Sequence, residues 1–263
     1  MLYAILFYLG LLAFMFIFQR NLQYHPIGKI APIADYLLNG FEEKILTTSD
    51  QTKILSWYKP AKSGQKVILY FHGNAGNLGD RAHRFSAFAE ENFGVLAISY
   101  RGYAGSNGKT TEAGMMLDAS AALDFLLSQN YQPQDIIFFG ESLGSSIATQ
   151  LAAISNPYAL ILESPPSSVV SVGQRTYWFV PVRLLLKDKF DSVKFAPQVS
   201  SPVLIFHGTA DAVVPYEEGQ MLFNAFKVTK KFMTVEKAGH LDFTDEFLIA
   251  EMGKFLLESV NSR

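Results

Sequence analysis

Runs of four or five large apolar residues recur along the chain, separated by longer stretches in which apolar residues return every third or fourth position. The short runs, among them "VILYF", "IIFF" and "VLIF", suit strands covered on both faces of a parallel sheet, and the longer stretches suit amphipathic helices. The spacing predicts strands at 41–47, 54–58, 67–71, 95–100, 135–139, 159–162, 203–206 and 231–235, with helices at 79–92, 110–129, 143–155, 217–226 and 243–259. Strands alternating with helices define an α/β domain whose central sheet is mostly parallel and flanked by helices. Residues 164–200 break the rhythm. Pro165, Pro166, Pro181 and Pro197 surround "RTYWFVPVRLLL", a stretch too long for an ordinary connection, so a cap insertion is expected at about 165–200.

One apolar run is of another kind. Leu2–Phe18 carries no charge and is followed by Gln19 and Arg20. As a helix it would span roughly 25 Å, and Arg20 can snorkel to extend its reach. The expected organisation is a single-pass membrane anchor over 1–20 followed by a body over 21–263. A cleaved signal peptide calls for a basic start and a small-residue cleavage site, which "MLY" and the bulky end of the run do not supply. A third reading packs the helix on the domain or on a partner. Arg20 and Lys29 lie on the C-terminal flank, which leans the body toward the cytoplasm by the positive-inside rule.

Composition narrows the function classes. The 263 residues are 49% hydrophobic and 17% charged, with 22 Phe and 12 Tyr, enough for one large core and incompatible with disorder. A net charge of −2, with no basic run interleaved with aromatics, argues against nucleic acid as a partner. The absence of cysteine removes disulfides, thiolate nucleophiles and zinc-thiolate sites together. No metal and no cofactor is expected.

The chemistry concentrates at "GESLG", Gly140 to Gly144, which places Ser142 between a predicted strand and a predicted helix. G-x-S-x-G at such a junction is a nucleophile elbow, a strained turn that only small neighbours permit. A serine hydroxyl needs a base, and the base needs an orienting acid. His240 in "KAGHLDF" follows the last predicted strand, and Asp211 in "FHGTADAVVP" follows the strand before it. Glu163 and Asp242 are the competing acids, and Asp211 also reads as a capping residue. In "YFHGNAGN" the backbone N–H of Asn74 is the expected oxyanion donor, joined by that of Leu143 after the nucleophile. His72 reads as a loop-bonding histidine rather than a base. "GYAGSNGKT" imitates a phosphate loop, but five residues separate Gly102 from Gly108 where four are required, so nucleotide is not expected. Lys109 there reads as solvated and Thr110 as a helix cap.

Taken together, "FQRNLQYHP", "YFHGNAGNLGDRAHR", "SYRGYAGSNG", "GESLGSSIA", "LESPPSS", "SPVLIFHGTADAVVP" and "KAGHLDF" resemble the α/β-hydrolase superfamily, nearly from end to end. The likeness is to its membrane-anchored branch of fungal bud-emergence hydrolases and animal abhydrolase-domain depalmitoylating enzymes. Ala104 departs from a glycine common in related chains. The resemblance implies the α/β-hydrolase fold, a Ser142–Asp211–His240 triad, and Asn74 with Leu143 as oxyanion hole. In the insertion, Tyr177, Trp178 and Phe179 are expected to meet an acyl chain or the membrane surface. The expected activity is hydrolysis of an ester or thioester beside membrane lipid, the alternatives being a peptidase or amidase with the same triad, or a tethered scaffold. A chain starting near Asn21 is expected to lose the membrane and keep the chemistry.

Overall fold

The computed structural model describes residues 1–26 and 28–260. Helix α1 (Leu2–Gln23) runs into a two-residue strand, β1 (His25–Pro26). The body follows as β2 (Glu42–Thr47), β3 (Lys53–Lys59), β4 (Val67–Phe71), β5 (Ala75–Gly76), α2 (Ala82–Glu90), β6 (Gly94–Ile98), α3 (Glu112–Ser128), β7 (Ile136–Glu141), α4 (Leu143–Ser155) and β8 (Ala159–Glu163). Three short helices, α5 (Val169–Thr176), α6 (Val182–Leu185) and α7 (Ser192–Phe195), occupy the insertion. The chain then closes with β9 (Val203–Gly208), α8 (Tyr216–Ala225), β10 (Lys230–Val235) and α9 (Asp245–Val260).

Eight strands make the main sheet in the order β10-β9-β8-β7-β4-β6-β3-β2. From β10 through β6 every pairing is parallel, while β3 and β2 attach antiparallel at one edge. Both faces are covered, which is why the strands read as unbroken apolar runs. Successive residues of β4 serve opposite cores, as a period of two requires. Val67, Leu69 and Phe71 pack with Met115 of α3 and Ile147 of α4. Ile68 and Tyr70 pack with Phe85 of α2 and Leu248 of α9 on the other side.

Two local expectations shift. Thr111, not Thr110, caps α3, accepting from Gly114 N–H at 2.9 Å, because Thr110 donates its hydroxyl to the Arg101 carbonyl at 2.9 Å. The helix expected from 79 begins as a tight turn over 78–81, capped by the Asn77 side chain, before α2 proper.

The helix proves longer than the apolar run that announces it. At 22 residues and mean hydropathy 2.1, α1 fits a membrane anchor and a signal sequence alike by length and composition. Its last turns pass the expected boundary at residue 20 and are built into the cap. Buried Gln19 donates to the Leu185 carbonyl at 3.2 Å and accepts from Lys187 N–H at 2.7 Å. Arg20 forks onto Asp188 at 2.8 and 3.3 Å, and Gln23 donates to the Asp188 carbonyl at 3.0 Å. A cut near Asn21 therefore removes Gln19 and Arg20, both fastened to the cap.

Candidate active site

Four loops at the carboxyl ends of the parallel strands converge, where open α/β sheets place their ligands. The turn after β7 carries Ser142 at φ +51° and ψ −117°, a region that side-chain-bearing residues rarely occupy. Its neighbours must be glycine for steric reasons. A Cβ on Gly140 would lie 2.5 Å from the Ser145 backbone, and one on Gly144 would lie 2.1 Å from the Phe71 carbonyl oxygen. The turn is pinned by Ser142 N–H donating to the Glu163 carbonyl at 2.8 Å and by the Ser145 hydroxyl donating to the Gly140 carbonyl at 2.8 Å. Ser142 sits at the N-cap position of α4 without capping it, which leaves its hydroxyl for other work.

That hydroxyl lies 3.0 Å from His240 Nε2, and His240 Nδ1 lies 2.7 Å from Asp211 Oδ2. Asp211 follows β9 and His240 follows β10, so adjacent parallel strands deliver acid and base side by side. The Asp211 side chain is fully buried, and its other oxygen accepts Val213 N–H at 2.9 Å and Val214 N–H at 2.8 Å. The turn chemistry expected of this aspartate and its bond to histidine are therefore both present, on different oxygens. Burial works against the charge. Hydrogen bonds from His207 and His240 and from the Val214 N–H outweigh it and hold the carboxyl well below the usual range. The competing acids go elsewhere: Glu163 pairs with Arg84 at 2.5 Å, and Asp242 faces the Gly239 N–H at 3.5 Å.

The loop after β4 lies against the serine, since a Cβ on Gly73 would be 3.4 Å from Ser142 Cβ. Asn74 N–H makes no hydrogen bond among the described residues, and Leu143 N–H, in the first turn of α4, has no acceptor within the helix. The Asn74 carbonyl accepts from Tyr103 OH at 2.7 Å, and its side chain donates to the Gln23 carbonyl at 2.6 Å. Immediately after Asn74, β5 pairs with β1, so the segment leaving α1 is stitched to this loop. His72 stays beneath it, fully buried, with Nδ1 donating to the Gly73 carbonyl at 2.7 Å. Desolvation and the nearby Arg81 charge push its imidazole down to about 4, so it is neutral at physiological pH.

A buried ionic layer supports the elbow, with pairings that no motif or spacing announces. Glu141 Oε1 accepts from Arg81 at 2.5 Å and from Gly73 N–H at 3.2 Å, while Oε2 accepts from Tyr70 OH at 2.6 Å. Burial opposes the Glu141 charge, but Arg81 above all holds the carboxyl at about 2. A depressed carboxyl stabilises the fold above its unfolded value near 4.5 and loses that contribution as pH falls through about 2. Glu141→Gln should cost about 3–5 kcal/mol at neutral pH by removing the buried charge partner of Arg81 and leaving it only the more exposed Asp80 at 3.6 Å. In melting curves recorded from pH 7 downward, the gap between wild type and variant should narrow between those two values. A gap independent of pH would refute the ion-pair account.

Of the three cap aromatics, only Tyr177 lines the cavity next to the site. Trp178 is 78% exposed, and neither it nor Phe179 is part of that wall. Tyr8 OH donates to the Phe179 carbonyl at 2.6 Å.

Known proteins resemble this chain in sequence and in fold. The family described as serine aminopeptidase, S33 (Hydrolase_4) matches residues 62–190, a stretch that carries Ser142 and stops short of Asp211 and His240. Together with the fold, that match defines the class: the chain belongs to the α/β-hydrolase superfamily. Among its relatives, an uncharacterized protein of Mycobacterium tuberculosis (strain H37Rv) is 35% identical over 236 residues, 89% of this chain and 84% of that protein. Human alpha/beta hydrolase domain-containing protein 17B is 33% identical over 182 residues, 67% of this chain and 60% of the human protein. The esterase Pf2001 of Pyrococcus furiosus shares the fold, with a TM-score of 0.70 at 22% identity over 89% of this chain and 98% of that one.

Proposed function

We propose that the protein is a serine hydrolase that cleaves carboxylic ester or thioester bonds through an acyl-enzyme, working at a membrane surface. The observation that carries this reading is the continuous line of hydrogen bonds from Ser142 Oγ through both nitrogens of His240 to Asp211. In the reaction Ser142 Oγ attacks the substrate carbonyl carbon while His240 Nε2 takes the hydroxyl proton. Asp211 holds the ring with its proton on Nδ1 and stabilises the imidazolium. The oxyanion is received by the N–H groups of Asn74 and Leu143 at the positive end of α4. His240 then protonates the departing alkoxide or thiolate, and water, activated by the same nitrogen, releases the acid and restores Ser142.

Peptide hydrolysis is the second reading, favoured by the description of the matched family. An aminopeptidase must hold a free ammonium group, and the two carboxylates flanking the elbow, Glu141 and Glu163, are already committed to arginines. The membrane setting is supported by α1, whose docked end argues for a helix kept in the mature protein, and by the exposed cap residues Trp178 and Leu184 beside it. A fluorophosphonate probe should label the full-length protein in detergent, and Ser142→Ala should abolish the label. Turnover of esters and acyl thioesters but not peptide anilides would then fix the bond type. An unlabelled wild type, or a labelled Ser142→Ala protein, would overturn the reading.

A further inference from the structure

A cavity of about 420 Å³ lies between α1 and the cap, within the ~300–1,000 Å³ typical of small-molecule sites. Met15, Phe16 and Leu22 of α1 form one wall, and Val172, Tyr177 and Leu185 of the cap form the other. Its inner end reaches Ala212 and Val213, the residues after Asp211, and Gln23, whose carbonyl holds the Asn74 side chain. The wall is rigidly placed, because Gln19 and Arg20 fasten α1 to the cap. We propose that this cavity holds the acyl chain of the substrate and that the chain enters it from the hydrocarbon layer along α1. The apolar helix is then a wall of the binding site as well as a tether. The proposal rests on the hydrolase reading above and names the substrate class for it: a molecule carrying a long acyl chain embedded in a bilayer.

Three observations select that occupant. The lining is largely apolar, so it rewards a hydrocarbon and offers little to a sugar or a charged metabolite. The outer surface continues the same character, with Trp178 and Leu184 78% and 82% exposed on the cap. Most telling is the contact of Tyr8 with Phe179, eleven residues before Gln19 on the helix, or roughly 16 Å at the helical rise. The cap climbs along α1 to the middle of its apolar run. Whatever layer solvates that half of α1 also receives the cap tip, and the cavity opens beside it.

The test uses full-length protein in lipid nanodiscs and p-nitrophenyl esters from acetate to laurate. Wild type should favour laurate over acetate in kcat/KM. Leu22→Trp and Val172→Trp fill the cavity from opposite walls and should each lower the laurate-to-acetate ratio by more than about tenfold, since each methylene kept out of an apolar wall is worth about fourfold. Ile17→Trp, on the exposed face of the same helix, should keep the wild-type ratio. If wild type hydrolyses acetate while both filling variants keep its ratio, the acyl site is wrong and the hydrolase reading stands. If wild type hydrolyses none of the esters and takes no fluorophosphonate label, both fall together. The ratio within one preparation is insensitive to a partly misfolded fraction, and the two walls provide independent variants.

Discussion

Ser142→Ala should lower ester turnover by about a millionfold, the loss seen when a triad nucleophile is removed from an otherwise intact site. The size follows from geometry. Ser142 Oγ is 3.0 Å from the base and stands on a strained turn beside two backbone N–H groups, and no neighbouring hydroxyl can replace it. Ser145 donates to the Gly140 carbonyl, and Ser146 accepts from Ser192. The variant removes only an oxygen atom, so the fold should survive. Single-turnover and steady-state assays on p-nitrophenyl acetate check this result, with circular dichroism to show an unchanged fold. Hydrolysis within tenfold of wild type would mean that another group attacks the carbonyl.

Asp211→Asn comes next, at about ten-thousandfold in kcat. An amide in place of Oδ2 presents an N–H to His240 Nδ1, which forces the ring proton onto Nε2 and leaves no lone pair to take the serine proton. Oδ1 keeps its bonds from Val213 and Val214, so the loop should hold its shape. Glu163→Gln makes the informative contrast. Glu163 is buried against Arg84 on the far side of the elbow, and its loss should reduce stability more than kcat. If Glu163→Gln has the larger effect on kcat, the acid has been assigned to the wrong carboxylate. A pH profile of kcat for Asp211→Asn that rises at alkaline pH would support the tautomer explanation over simple misfolding.

Most of this site could be read from the residues because its requirements are local. A nucleophile elbow needs small residues on both sides of the serine, and the backbone oxygen that a Cβ on Gly144 would strike belongs to the neighbouring strand, so the pattern is nearly obligatory. Acid and base must leave the ends of adjacent parallel strands, and β9 and β10 announce themselves as apolar runs before Asp211 and His240. Covered strands carry their own signal, which is why β4 and the helix after Ser142 fall where the spacing puts them. The single misplaced cap, Thr110 for Thr111, arose where two adjacent threonines offer the same chemistry and only the Arg101 carbonyl decides between them.

What the chain alone determined is the class of chemistry: a hydroxyl, an imidazole and a carboxylate in an order and spacing that this fold joins. What only the tertiary structure decided is who supports and surrounds that chemistry. Nothing in the spacing of Arg81 and Arg84 points to a partner, and they pair with Glu141 and Glu163 because the sheet order sets β4 beside β7 and β7 beside β8. Gln19 and Arg20 read as the polar end of a membrane segment, yet with Gln23 they dock on a cap some 165 residues away, and Tyr8 reaches it too. Contacts across such separations leave no periodicity in either segment, since each polar residue looks equally at home in water. Their pairing is settled by which surfaces the packed core brings within about 3 Å, and a charge left unpaired once that core has excluded water is costly.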